Sequence, residues 1–76
     1  SPAELQRFMT QFMAEQEQRW LDESIPALGG RTPRQAAADP VEREALIRLL
    51  RSFPDTDDPT QMSGRRLRAA LGLGDR

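Results

Sequence analysis

The sequence predicts an all-α fold, a small bundle in which one long N-terminal helix is followed by three shorter helices. Apolar residues recur at steps of three and four along the chain, which places them on one face of a helix. Sequence patterns that cap and start helices occur four times. A chain of 76 residues forms at most one domain. Folding buries only about 60% of the surface that such a chain exposes when unfolded, so we expect a small core.

Helix 1 is predicted over about residues 2–22. The segment Ser1-Pro2-Ala3-Glu4 has the spacing of a capping box, with a proline preset for the first helical turn. At 1.5 Å per residue this helix is about 30 Å long, whereas a later helix of a dozen residues reaches only about 18 Å. We therefore expect its N-terminal half to extend beyond the core. Its apolar stripe consists of Leu5, Phe8, Met9, Phe12, Met13 and Trp20.

The overhanging half of helix 1 predicts an interaction surface. A small monomer cannot easily cover so many large apolar side chains, and exposed apolar patches mark contact sites. The alternative is that the stripe packs against the other helices, as apolar stripes of helical period usually do. The residues predicted for a partner or dimer face are Leu5, Phe8, Met9, Phe12 and Met13.

The segment 23–31 predicts a sharp corner after helix 1. Ile25 precedes a proline and is pushed towards extended backbone, and Gly29-Gly30 can adopt positive φ where the chain reverses. Side chains from this corner are expected to complete the core below Trp20. The predicted core residues are Trp20, Ile25, Leu28, Leu46, Leu49 and Leu50.

Three short helices are predicted after the corner. Helix 2 covers about residues 33–38 after the cap Thr32, and helix 3 covers about residues 40–52 after the cap Asp39. An acidic linker follows over residues 53–60. Helix 4 is predicted over about residues 64–71, with Ser63 as its cap and a glycine stop, although Asp58 has the same capping pattern.

The composition excludes several classes of function. The chain has neither Cys nor His, so disulfides, zinc fingers and thiol or imidazole catalysis are ruled out. All eleven basic residues are Arg, as expected of a GC-rich bacterial genome. No apolar run approaches the roughly 20 residues of a membrane span, so we expect a cytoplasmic protein without membrane contact. A start at Ser1 rather than Met suggests a piece of a longer protein.

The acidic residues predict neither an enzyme nor a cofactor or metal site. Pairs such as Glu15 and Glu17 are expected to be solvated, and no nucleophile or base accompanies them. The cluster of Asp55, Asp57 and Asp58 resembles the start of a calcium loop, but it lacks the required glycine and distal glutamate. A solvated linker explains this cluster better.

Arginine clusters leave nucleic-acid binding open as an alternative function. Arginines on one short helix can contact phosphates, and the turn at Gly29-Gly30 can bind an anion at a helix start. The net charge of −1 and the acidic linker argue against a dedicated nucleic-acid binder, and pairing with the linker aspartates is the simpler interpretation. The candidate contacts are Arg31, Arg34, Arg65, Arg66 and Arg68.

Residues 19–53 resemble a known interaction domain. The pair Trp20-Leu21, the run Pro26-Ala27-Leu28-Gly29-Gly30-Arg31-Thr32-Pro33 and a following Leu-rich helix are similar to the toxin-binding domain of Xre/MbcA/ParS-type antitoxins. This resemblance implies a helical domain that binds a co-encoded, NAD-degrading toxin of the RES type. Similar stretches occur in longer bacterial proteins of unassigned role, so a structural domain of such a protein is a further alternative. We expect a non-catalytic protein–protein interaction module that associates with itself through helix 1.

Overall fold

The computed structural model describes residues 1–74. This part of the chain forms four α-helices and one 3₁₀ turn, without any strand. The predicted all-α class with a long first helix is therefore confirmed. In chain order the elements are α1 (Pro2–Trp20), the 3₁₀ turn (Pro26–Leu28), α2 (Pro33–Ala38), α3 (Arg43–Arg51) and α4 (Gly64–Ala70).

Helix α1 is the longest element and starts where its cap predicts. The Ser1 hydroxyl accepts a hydrogen bond from the Glu4 amide at 3.3 Å. The helix ends at Trp20, two residues before the predicted end, because the Asp22 and Glu23 amides donate to carbonyls only three residues back. Its 19 residues span about 28 Å, more than half of the 47 Å long axis of the molecule.

The corner after α1 has the backbone conformations that its residues predict. Ile25 is extended at φ −108° and ψ 119° before Pro26, and Gly29 and Gly30 have φ values of 66° and 84°. The Ile25 amide donates to the Arg31 carbonyl at 3.0 Å and closes the reversal. This geometry points the chain back towards the core and buries Leu28.

Helix α3 starts three residues later than predicted. The Asp39 carboxylate accepts a hydrogen bond from the Val41 amide at 2.9 Å, which is a local turn rather than a helix cap. Residues 40–42 therefore form a turn, and the helix covers Arg43–Arg51. An aspartate two residues before an amide can close such a turn as readily as it caps a helix, so the local pattern did not decide between them.

Helix α4 adopts the start at Ser63 rather than the alternative at Asp58. The Ser63 hydroxyl accepts from the Arg66 amide at 3.3 Å. The predicted glycine stop is present, because Gly72 has φ 74° and the Leu73 amide donates to the Arg68 carbonyl at 2.9 Å. This Schellman motif ends the helix at Ala70, one residue before the predicted end, and buries Leu73.

The core shares three of its residues with the prediction. Leu28, Leu46 and Leu50 are buried as expected, but Trp20, Ile25 and Leu49 are half-buried residues packed against the core. Leu21 is fully buried, whereas Trp20 packs against the core from its edge. The buried apolar residues are Leu21, Leu28, Ala36, Leu46, Ile47, Leu50, Leu67 and Leu73.

Helix α4 approaches α3 closely at a buried glycine. A Cβ atom on Gly64 would lie 2.7 Å from the Leu50 carbonyl oxygen, and the Gly64 amide donates to the Pro54 carbonyl at 2.9 Å. Only a residue without a side chain fits between these backbone groups. Gly64 thereby lets the start of α4 rest on the end of α3.

Candidate interaction surface

The N-terminal half of α1 projects from the bundle. Every residue from Ser1 to Met9 is exposed, on all sides of the helix. The helix reaches the core only at its other end, where Glu17 and Leu21 are buried. The expected overhang is therefore observed, and the alternative in which this half packs on the other helices is wrong.

The projecting helix carries an apolar patch, called here the helix-1 patch, that consists of Leu5, Phe8, Met9 and Phe12. Their exposed fractions are 61%, 66%, 43% and 48%. The rings of Phe8 and Phe12 lie 6.3 Å apart and 19° from parallel. Together the four side chains expose on the order of 400 Å², within the range of about 300–600 Å² of the largest apolar patch on a typical monomer, which is often functional.

Met13 differs from the rest of the predicted face, because it is half-buried. Residues four apart on a helix lie on the same face, so Met13 is in one row with Glu17 and Leu21, which come four and eight residues later. It therefore continues the row that contacts the bundle. Leu5 and Met9 lie in the same row, eight and four residues before Met13, and they are exposed because α1 extends beyond the bundle at that point.

Little in the chain itself holds the projecting half of α1 in helical form. Helices of fewer than about 12–15 residues are marginal in water without packing. The local support includes the Ser1 cap, an ion pair of 3.7 Å between the N-terminus and Glu4, the contact of the Phe8 and Phe12 rings, and a hydrogen bond of 3.0 Å from the Gln11 amide group to the Glu15 carboxylate. A surface that covers the helix-1 patch would supply the missing packing energy.

At its other end α1 is fixed by the carboxylate of Glu17, for which the sequence predicts a solvated position. Glu17 is only 7% exposed. Its oxygens accept hydrogen bonds from the Ser63 amide at 2.9 Å and from Nε and Nη2 of Arg66, both at 3.0 Å. This bidentate ion pair ties α1 to the start of α4, 46 residues away in sequence.

The expectation that Glu17 is solvated is thus wrong, and the sequence contained one signal against it. Glu17 lies four residues after Met13 and four before Leu21, so it is in the row that contacts the bundle. An acidic residue in such a row needs a cationic partner, because an unpaired buried charge is costly. Its partner Arg66 could not be identified from spacing alone.

The structure pairs all five candidate arginines with acceptors within the chain. Arg31 contacts Asp39, and Arg34 contacts Asp22 at 3.0 Å. On α4 the partners are Asp57 for Arg65 at 2.6 Å, Glu17 for Arg66 at 3.0 Å and Asp55 for Arg68 at 2.9 Å. The proposed pairing with linker aspartates is therefore found for Arg65 and Arg68, whereas Arg66 is bound to α1.

These pairings leave two of the arginines of α4, Arg66 and Arg68, poorly placed to contact phosphate. Arg68 is 7% exposed, and its Nε atom is buried without a hydrogen-bond partner among the described residues. Arg66 also donates to the Gln61 carbonyl. Arg66 and Arg68 hold α1 and the acidic linker against α4, whereas the side chains of Arg65 and its partner Asp57 are 52% and 89% exposed.

Three aspartates are held in their charged form by neighbouring donors. The Val41 amide and then Arg31 lower the pKa of Asp39 below its usual 3.8. The hydrogen bond from Arg68 lowers the pKa of Asp55, and the backbone and hydroxyl of Thr60 lower the pKa of Asp58. Each carboxylate therefore binds a proton less readily in the folded chain than in the unfolded chain.

We expect acid to destabilise the fold through these groups. Because their folded-state pKa values are depressed, their contribution is complete above the unfolded pKa and is lost as the pH falls through the folded values. Melting temperatures measured from about pH 7 to about pH 2.5 should stay level to about pH 4.5 and then fall. The variant Asp55→Asn should show a shallower fall. Equal melting temperatures at neutral pH and pH 3 would contradict this expectation.

Within residues 1–74 no group of three or more acidic side chains is arranged to hold a metal ion. No helix in this part of the chain is both long and apolar enough to cross a membrane.

Comparison with protein-family models, curated proteins and solved structures finds no match to this chain.

Proposed function

We propose that this chain is a non-catalytic protein–protein interaction module that associates with itself through the helix-1 patch. The observation that carries the proposal is the projection of a helix with four large apolar side chains beyond the bundle. Self-association would remove this apolar surface from water and pack the weakly supported half of α1.

The area of the patch sets the expected strength of association. Two copies that cover about 400 Å² each bury about 800 Å² in total, below the roughly 1,200 Å² of a stable interface. We therefore expect a weak dimer whose population depends on protein concentration. Further contacts, in a longer protein that contains this chain, would hold the two copies together more tightly.

The double variant Phe8→Ser/Phe12→Ser tests this proposal. Light scattering from about 5 µM to about 500 µM should show the mass of the parent chain rising towards two copies. The variant should stay monomeric and keep its melting temperature, because both rings lie outside the core. Val41→Ser is the matched control, since Val41 is 82% exposed but belongs to the turn before α3 rather than to α1, and it should dimerise like the parent.

A parent chain that remains monomeric at every concentration would contradict self-association. The patch would then require a different protein, such as the toxin that the antitoxin resemblance implies. Melting of the isolated monomer by Phe8→Ser/Phe12→Ser would instead show that the patch supports the fold. Nucleic-acid binding is the less favoured alternative, because two of the three arginines of α4, Arg66 and Arg68, are held by Glu17 and Asp55 within the chain.

A further inference from the structure

We propose that two copies pair through α1 in antiparallel orientation, with the two-fold axis between Phe8 and Met9. This inference rests on the proposed self-association and adds its geometry. In the antiparallel pair, Leu5 of one copy lies opposite Phe12 of the other copy. Each copy would then hold its bundle at the opposite end of the paired helices.

The positions of the patch residues support the antiparallel arrangement. A closed dimer needs one surface that is complementary to itself. Reversing α1 about the midpoint between Phe8 and Met9 exchanges Leu5 with Phe12 and Phe8 with Met9, so the patch maps onto itself. All four side chains then meet apolar neighbours, and no charged residue lies inside the patch.

The shape of the molecule also favours this arrangement. The bundle lies at the C-terminal end of α1 and gives the molecule widths of 23 and 18 Å, whereas packed helices lie only 8–10 Å apart, as a rough rule. Parallel pairing would bring the two bundles side by side at less than their own width. Antiparallel pairing separates them to opposite ends of the projecting helices.

The charges on α1 also favour antiparallel pairing. Parallel helices would place each residue of α1 beside its own copy, so Glu4, Glu15 and Arg19 would each face a like charge. In the antiparallel pair Glu15 lies near the N-terminus of the partner's α1, where the helix dipole favours a negative charge. Oppositely directed helix dipoles also attract each other.

The absence of cysteine from the chain permits a direct test by disulfide formation. We would prepare Leu5→Cys and Phe12→Cys separately and oxidise each alone and in an equal mixture. In the antiparallel pair two copies of position 5 are displaced by about 10 Å along the helix, too far for a disulfide, which needs Cα atoms within about 7 Å. Positions 5 and 12 lie opposite each other.

The expected result is a disulfide-linked dimer in the mixture and none above background in either variant alone. Ala69→Cys, at an exposed position on α4, measures the background of random collisions. A disulfide formed by Leu5→Cys alone would show parallel pairing and overturn this inference, while self-association itself would stand. Background levels in the mixture, with a dimer still seen by light scattering, would overturn it as well. A monomeric parent chain would contradict both proposals.

Discussion

Replacing Glu17 with Ala is expected to lower the free energy of unfolding by about 2–4 kcal/mol. The change leaves the buried Ser63 amide without its acceptor and Arg66 without its counter-ion. Loss of one partner from a buried ion pair costs about 3–5 kcal/mol, and the 34% exposure of the Arg66 side chain reduces that figure because water reaches part of its charge. A domain of this size has only about 4–11 kcal/mol in total.

Urea unfolding followed by circular dichroism measures this loss. Glu15→Ala is the matched control, because Glu15 lies on the same helix but is exposed, and its loss should be within about 0.5 kcal/mol. Glu17→Gln keeps an oxygen for the Ser63 amide but not the charge, so it should fall between the two. Equal stability of the Glu17→Ala and Glu15→Ala variants would refute the role assigned to Glu17.

The second large effect is expected from Trp20→Ala, at about 3 kcal/mol. Trp20 meets Phe53 edge to face, with ring centroids 5.4 Å apart and planes at 89°. A fully buried tryptophan would cost up to about 5 kcal/mol, but Trp20 keeps part of its surface in water. The aromatic contact itself contributes about 1 kcal/mol of the expected loss.

Circular dichroism is again the appropriate measurement, since the substitution removes the single tryptophan of the chain. Phe8→Ala provides the control, because it removes an aromatic ring from an exposed position on the same helix. That variant should unfold at the urea concentration of the parent under monomeric conditions. An unchanged unfolding curve for Trp20→Ala would remove Trp20 from the residues that stabilise the fold.

Together the two substitutions test how α1 is attached to the bundle. Trp20 and Leu21 join it to the core by apolar contacts, and Glu17 joins it to α4 by an ion pair. All three residues lie in the last turn of the helix or directly after it, so the first half is left to project. The same arrangement that anchors α1 therefore exposes the helix-1 patch.

The local sequence was sufficient for the starts of α1, α2 and α4, the corner and the apolar patch, but not for the start of α3. Ser1, Thr32 and Ser63 cap helices through hydrogen bonds to amides three residues away, and Gly29-Gly30 reverse the chain through their own backbone freedom. The length of α1 relative to the later helices was enough to predict its overhang. These features depend on neighbours in sequence, so their patterns identify them.

Tertiary structure alone decided which residues meet across the chain. The pairing of Glu17 with Arg66 spans 49 residues, and no spacing rule connects them. The rotation of α1 against the bundle decides that Leu21 rather than Trp20 is fully buried. It also decides that Met13 is half-buried. Periodicity defines an apolar stripe on a helix, but the partners that pack against it decide how much of that stripe is buried.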